Sequence, residues 1–273
     1  MDPFISIFEF SNLDPSEYTL IQCVLPNYPV KYHIDHSHLF RIPDVYEEFV
    51  EAIRKLDLDY EKRIVCYDSG DMRVASRVFW GLRAAGFDEV QVLVGGLHSA
   101  GELGLEIEEG PSSEIVSTTS PFLPFNYTTV LSYSELIRKD SFFQQVIHVN
   151  GIAIRLDDTS GLREPSEIKN DFDKLGISYR PGSALIIHGR DSGLCGMMIR
   201  YLGEKAISIV FESSSKGFTI SKERSSTIDS GYFSASDTAF FDADTPHSGN
   251  LSYRSSLRST PGEEQRGCCC LLF

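Results

Sequence analysis

The chain has 273 residues, 41% of them hydrophobic, with 39 Asp and Glu against 25 Lys and Arg for a formal charge of -14. That length accommodates two domains of ordinary size, and the negative charge repels phosphate backbones, which excludes general nucleic-acid binding. No run reaches the roughly eighteen apolar residues of a membrane span, and the opening Met1 to Phe10 is acidic and aromatic rather than basic then aliphatic, so a location on the cytosolic side is expected.

In chain order, residues 17 to about 110 alternate short apolar runs (Tyr18 to Val24, Ile64 to Tyr67, Val90 to Val94) with helical patterns (Val45 to Leu56, Val74 to Ala85). This alternation predicts a parallel sheet with crossover helices. A turn-rich stretch from Gly110 to Tyr127, with Pro111, Pro121 and Pro124, reads as a linker. The pattern then restarts. It predicts a helix at Tyr133 to Lys139, a strand at Val146 to Leu156, a helix at Pro165 to Lys174, a strand at Ala184 to His188, a helix at Cys195 to Leu202 and a strand at Ala206 to Phe211. From Gly217 to Gly267, 16 of 51 residues are Ser or Thr and no apolar period persists. Such a segment buries too little to offset its ordering entropy, which predicts disorder.

Between Ile64 and Leu97 a buried strand runs into the polar loop Asp68, Ser69, Gly70 and Asp71, then a helix closing at Gly86, then a second buried strand ending Val92-Leu-Val-Gly-Gly96. Strand, loop and helix N-terminus together make an anion cradle at the C-terminal edge of a parallel sheet. Val65-Cys-Tyr-Asp68, Ala75-Ser-Arg-Val-Phe-Trp80 and Val92 to Gly96 resemble the N-terminal domain of the tandem rhodaneses, the thiosulfate and 3-mercaptopyruvate sulfurtransferases. Upstream, His33-Ile-Asp-His-Ser-His-Leu-Phe-Arg-Ile42 is similar to that family's H-I-P-G-A-x-F-F-D-I element. The resemblance implies Asp rather than Cys at the loop's first position in this domain, as Asp68 is, and so no chemistry there. Arg77 and Trp80 are expected to pack the helix between domains.

In the second half, His148-Val-Asn-Gly-Ile-Ala-Ile-Arg-Leu156 is similar to the family's H-I-P-G-A-x-N-I-P, and Gly161-Leu-Arg-Glu-Pro-Ser-Glu-Ile168 resembles the lead into the next helix. The active-site loop should follow Leu185-Ile-Ile-His188. The resemblance puts the persulfide-forming Cys where this chain has Gly189. Glycine cannot supply the thiolate that attacks a sulfur donor. The family's Asp-x-Arg donor-binding element is also missing, and the helix reaches its closing Gly203 about a turn early. Two other residues near the loop carry candidate roles: Cys195 as an alternative nucleophile near a helix N-terminus, and Arg190 as an anion-binding group in a degenerate cradle.

The chain closes Arg266-Gly-Cys-Cys-Cys-Leu-Leu-Phe273. Cys270-Leu-Leu-Phe273 is a C-a-a-X box, and its terminal Phe favours a geranylgeranyl group. One lipid binds reversibly, and residues 217 to 267 hold five Lys or Arg against seven Asp or Glu. No polybasic patch helps, so palmitoylation of Cys268 or Cys269 is the expected second signal. Asp229-Ser-Gly-Tyr-Phe-Ser234 matches a phosphorylation-dependent degron pattern, and Thr245-Pro and Thr260-Pro are proline-directed sites.

The expected architecture is α/β, with two rhodanese-like domains, each a parallel sheet flanked by helices, and then a disordered tail. Its expected boundaries are 1–112 for the first domain, 113–127 for a linker, 128–215 for a shortened second domain and 216–273 for the tail. The expected function is a catalytically silent binding or scaffolding protein on the cytosolic face of a membrane; the rival is an active thiosulfate or 3-mercaptopyruvate sulfurtransferase. Membrane lipid and a protein partner are expected. No cofactor and no metal are: Cys23, Cys66 and Cys195 lie far apart, without C-x2-C spacing.

Overall fold

A computed structural model describes residues 2–115, 123–138, 144–151, 157–158 and 161–211. The first half contains β1 (Phe4–Ile5), α1 (Ile7–Phe10), β2 (Tyr18–Val24), β3 (Tyr32–Ile34), β4 (His38–Arg41), α2 (Tyr46–Arg54), β5 (Arg63–Tyr67), α3 (Arg73–Ala84), β6 (Val90–Leu93), α4 (Gly96–Glu102), β7 (Ile107–Glu109) and β8 (Ser113–Glu114). The second contains β9 (Val130–Leu131), α5 (Tyr133–Arg138), β10 (Gln144–His148), β11 (Asp157–Asp158), β12 (Gly161–Leu162), α6 (Pro165–Lys174), β13 (Ala184–His188), α7 (Ser192–Tyr201) and β14 (Ile207–Val210).

Each half builds a parallel sheet. The first has the order β1-β6-β5-β2-β4-β8 and the second β10-β13-β14-β9. Reversed, the second order lays β9, β14, β13 and β10 on β1, β6, β5 and β2, so the fold repeats. The central strands are unbroken apolar runs such as Ile64-Val-Cys-Tyr67 and Leu185-Ile-Ile187, buried on both faces as strands covered by crossover helices must be. One apolar cluster runs from Phe4 through Trp80 and Leu185 to Phe211, joining the halves into a continuous core.

Three expectations change. First, the linker does not begin at residue 113: β8 pairs in parallel with β4, and Ile115 N–H reaches Leu39 O at 3.0 Å. Gly110 and Pro111 connect β7, which pairs antiparallel with β3, to β8 at the edge of the first sheet. Further on, Leu123 and Asn126 bond to Arg54 and Ala84, so that stretch lies on the first half.

Second, β10 stands where β2 stands, not where the His33 element does. Gln22 is opposite Tyr67 just before Asp68, and His148 is opposite His188 just before Gly189. His148 therefore corresponds to Gln22; short apolar runs look alike in sequence and only pairing separates them. Third, α7 starts at Ser192, a turn before Cys195. The remaining expected elements agree within a few residues, while the strand beyond residue 151, residues 116–122 and the whole segment 212–273, with its expected disorder, lie outside the described residues.

The repeat also contains a pair that the sequence reading passed over. Ser6 and Glu9 form a capping box at α1, with Glu9 N–H on Ser6 Oγ at 3.1 Å and Ser6 N–H on Glu9 Oε2 at 3.0 Å. Ser132 and Glu135 repeat it at α5 with distances of 3.3 and 2.7 Å. The S-x-x-E spacing after two apolar residues was the available signal.

Candidate functional site

The two loops of interest follow β5 and β13 at the C-terminal edges of the sheets, where α/β folds place ligands. In the first, residues 68–72 connect β5 to α3, and the Asp68 carboxylate turns back into its own cradle. Oδ1 accepts N–H groups from Gly70 at 3.0 Å and Met72 at 2.9 Å; Oδ2 accepts those of Val74 at 2.9 Å and Ala75 at 3.0 Å. Four donors, two of them at the start of α3, thus converge on a fixed internal anion. Burial, with Asp71 adding to it, lifts the Asp68 pKa to about 6 against the pull of these N–H groups.

The Gly95-Gly96 pair seals the same loop from β6. Both residues have positive φ (74° and 51°), and a Cβ on Gly96 would stand 2.4 Å from Asp68 O. Leu97 N–H bonds that carbonyl at 2.9 Å. Glycine at 96 is therefore required by close backbone approach.

In the second loop only residues 189–191 connect β13 to α7, against residues 68–72 in the first. Two residues are lost from the loop, and α7 has 10 residues where α3 has 12; together these account for the early Gly203. Gly189 has φ +113°, and a Cβ there would lie 2.1 Å from Val149 O and 3.0 Å from Asn150 Oδ1. The loop's N–H groups bond inward: Arg190 to Asn150 Oδ1 at 2.9 Å, Asp191 to Val149 O at 3.5 Å and Ser192 to Gly189 O at 3.0 Å. Arg190, the expected anion ligand, has an exposed side chain beside this internally satisfied backbone.

Asp191 is the functional-looking residue the sequence reading missed. Its side chain is fully buried; Oδ1 lies 2.8 Å from Arg73 Nε at the start of α3, and Oδ2 accepts the Gly151 N–H. It ties the second loop to the first half. Beside it Trp80, as expected, fills the space between α3 and α7: its Nε1 donates to Gly193 O at 2.9 Å, and a Cβ on Gly196 would be 3.0 Å from its ring. A Cβ on Gly193 would be 2.8 Å from Ser76 Oγ. Glycines on one face of α7 thus let the two helices meet closely over the second loop.

Cys195 lies on α7 under this contact with no exposed surface, and burial first, then Asp191, pushes its thiol up to about 12. A helix N-terminus that lowers thiol pKa is outweighed by desolvation. Cys23 and Cys66 are equally buried, and burial also raises Cys23. Among the described residues no three His, Cys, Asp or Glu side chains gather as a metal site, and no helix is long and apolar enough to cross a membrane. Cys268, Cys269 and Cys270 lie outside the described residues.

Parallel sheet, central strand, anion-cradle loop and helix, present twice, define a rhodanese-type α/β protein. Residues 13–101 match the rhodanese-like domain family. Over 89 residues the chain is 34% identical to the 3-mercaptopyruvate sulfurtransferases of Escherichia coli strains K12 and O157:H7, covering 31% of this chain and 32% of each relative. The matched stretch is thus about a third of the curated relatives' length. The fold likeness extends over both halves. A 3-mercaptopyruvate sulfotransferase structure from Escherichia coli aligns with TM-score 0.60 and 18% identity over 77% of this chain and 98% of that one. A 3-mercaptopyruvate sulfurtransferase from Leishmania major aligns with TM-score 0.57 and 17% identity over 77% and 72%.

Proposed function

We propose that the chain is a catalytically silent tandem rhodanese-like protein that binds or scaffolds a protein partner at the cytosolic face of a membrane. What supports the silent part is that N–H groups of both loops are already bonded to internal acceptors. The first cradle already holds the Asp68 carboxylate on four N–H groups. The second begins with Gly189 packed against Val149 O, with the N–H groups of residues 190–192 bonded inward. Sulfur transfer needs an accessible thiolate and free N–H donors to stabilise a persulfide. Buried Cys195, with its pKa near 12, is a poor substitute. This also counts against the rival reading of an active thiosulfate or 3-mercaptopyruvate sulfurtransferase.

Membrane attachment rests on Cys270-Leu-Leu-Phe273, with prenylation of Cys270 and palmitoylation of Cys268 or Cys269 as the two lipids. The silent reading is tested by exposing the purified chain to thiosulfate or 3-mercaptopyruvate, then cyanide. No thiocyanate above the protein-free blank is expected. Donor-dependent thiocyanate that vanishes in Cys195→Ser overturns the reading; thiocyanate that survives the substitution points to another thiol.

A further inference from the structure

Away from both loops, one face of α2 and a residue of the stretch that follows Leu123 line a groove of about 290 Å³: Tyr46, Glu47, Val50, Glu51, Arg54 and Tyr127. Positions 46, 50 and 54, like 47 and 51, are four residues apart and so share that face. Val50 is buried and gives the groove an apolar floor. Both aromatic walls are held by the fold. The Tyr46 hydroxyl donates to Val130 O at 2.9 Å, and its ring centroid lies 6.0 Å from that of Phe211. The Tyr127 centroid lies 5.2 Å from that of Phe125, in a stretch whose Leu123 and Asn126 N–H groups bond Arg54 O and Ala84 O at 3.0 and 2.7 Å. Walls fixed in advance lose little freedom when a ligand enters.

The rim is acidic. Glu47 and Glu51 are exposed; Glu51 pairs with Lys55, and Glu47 makes no ion pair among the described residues. Arg54, the cation of the lining, directs its Nε to Leu123 O at 2.8 Å. Burial first, then Glu135, Tyr127 and Glu47, pushes the Tyr46 hydroxyl up, so a third carboxylate adds to the negative field. An apolar floor beneath carboxylates suits side chains with an aliphatic stem and a cationic head, and tyrosine faces attract the same heads. Anionic lipid and nucleic acid are repelled. Spacing narrows the choice further. Glu47 and Glu51 stand one helical turn apart, about 6 Å, while alternate residues on one side of an extended chain are about 6.6 Å apart. From Tyr46 to Arg54 the helix rises about 12 Å, the length of about four extended residues.

We propose that this groove docks an extended segment of a protein partner with basic residues at alternate positions, their stems along Tyr46, Val50 and Tyr127 and their heads on Glu47 and Glu51. The site presupposes the partner-binding role and gives that partner a chemistry. Glu51 exchanges Lys55 for the incoming cation at little cost, because an exposed pair four residues apart on a helix contributes little.

The probe is the peptide acetyl-Ala-Lys-Ala-Lys-Ala-amide, titrated into the full-length chain at low ionic strength while the Val50 methyl and Tyr127 ring resonances are followed by NMR. Both should shift saturably, and added salt should reverse the shift. A peptide with Glu in place of each Lys should leave them unmoved. Glu47→Gln with Glu51→Gln should weaken binding about threefold, and Glu47→Lys with Glu51→Lys about tenfold or more. The charge-reversed protein should instead take up the acidic peptide, which a merely structural role for these residues would not produce. No saturable shift with the basic peptide, equal shifts with both peptides, or undiminished affinity after charge reversal would each overturn the site. The Gln pair decides the matter if the charge-reversed chain misfolds. Cyanolysis reads the silent loops separately, so a failed titration sinks the groove and leaves them standing.

Discussion

Restoring the family's cysteine in the second loop should damage the fold rather than create an enzyme. In Gly189→Cys the new Cβ would fall 2.1 Å from Val149 O and 2.8 Å from Val149 C, at a φ of +113°. Both obstacles are backbone atoms, and Val149 N–H is itself held by His188 O at 2.8 Å, so the sheet edge must move. Positive φ costs about 1–3 kcal/mol for a non-glycine residue, and overpacking about 1–3 kcal/mol more. The sum of about 2–6 kcal/mol is a large share of the roughly 5–15 kcal/mol of a folded domain. At about 2–4 °C per kcal/mol for a body of this size, the midpoint should fall by about 4–24 °C.

Gly203→Ala provides the comparison. Its φ is +105° but nothing lies within 4 Å of a Cβ, so only the φ cost should appear. Thermal unfolding by circular dichroism measures both, with cyanolysis measured in parallel. A Gly189→Cys protein as stable as wild type, or one that gains sulfurtransferase activity, would refute the reasoning.

Asp68→Asn should cost about 1–3 kcal/mol, because one amide end would turn an NH2 toward two N–H donors, measured by denaturant unfolding at pH 7. The same carboxyl is raised from 3.8 to about 6, so its linked stability is fully present below about 3.8 and lost as pH rises through about 6; wild type minus Asp68→Asn stability should fall across that window, and a difference independent of pH would contradict the assignment. Asp191→Ala removes the acceptor of Arg73 Nε and of the Gly151 N–H and should cost about 1–3 kcal/mol, Arg73 being partly exposed and also near Asp71, and a double-mutant cycle with Arg73→Ala should show coupling rather than additivity. Cys270→Ser should leave the protein soluble in eukaryotic cells, while replacing Cys268 and Cys269 together should give weak membrane association; fractionation checks both, and full membrane recovery of Cys270→Ser would defeat the C-a-a-X reading.

The parts of the fold legible in sequence were those with local signals. Strands β5 and β13 are long apolar runs ending in a polar loop, α6 opens with Pro165, and α3 closes ahead of Gly86. Strands β1, β8 and β9 have two residues each and no detectable period, so their place in the sheets depends on partners far along the chain. The start of α7 lies a turn earlier than expected, directly after Asp191, a good cap by type whose side chain here bonds Arg73 and Gly151 instead of the helix.

For the candidate site, Asp68 and Gly189 at the starts of the two loops were visible directly, but what surrounds those positions was not. The overlap at Gly189 comes from Val149 on the neighbouring strand, and the occupied first cradle depends on the loop turning four N–H groups onto one side chain. Composition carries neither. Cys195 looked like a thiol at a helix N-terminus; the contact of Trp80 with Gly193 and Gly196, more than a hundred residues away in the chain, is what buries that end of α7.

The central claim, that neither half carries sulfur, is tested most directly by the intact mass of the purified protein after exposure to 3-mercaptopyruvate or thiosulfate without an acceptor. The account predicts an unchanged mass, because the chain offers no accessible thiolate in either loop. A gain of one sulfur atom, removed by cyanide and mapped to Cys195 in the folded protein, would contradict it.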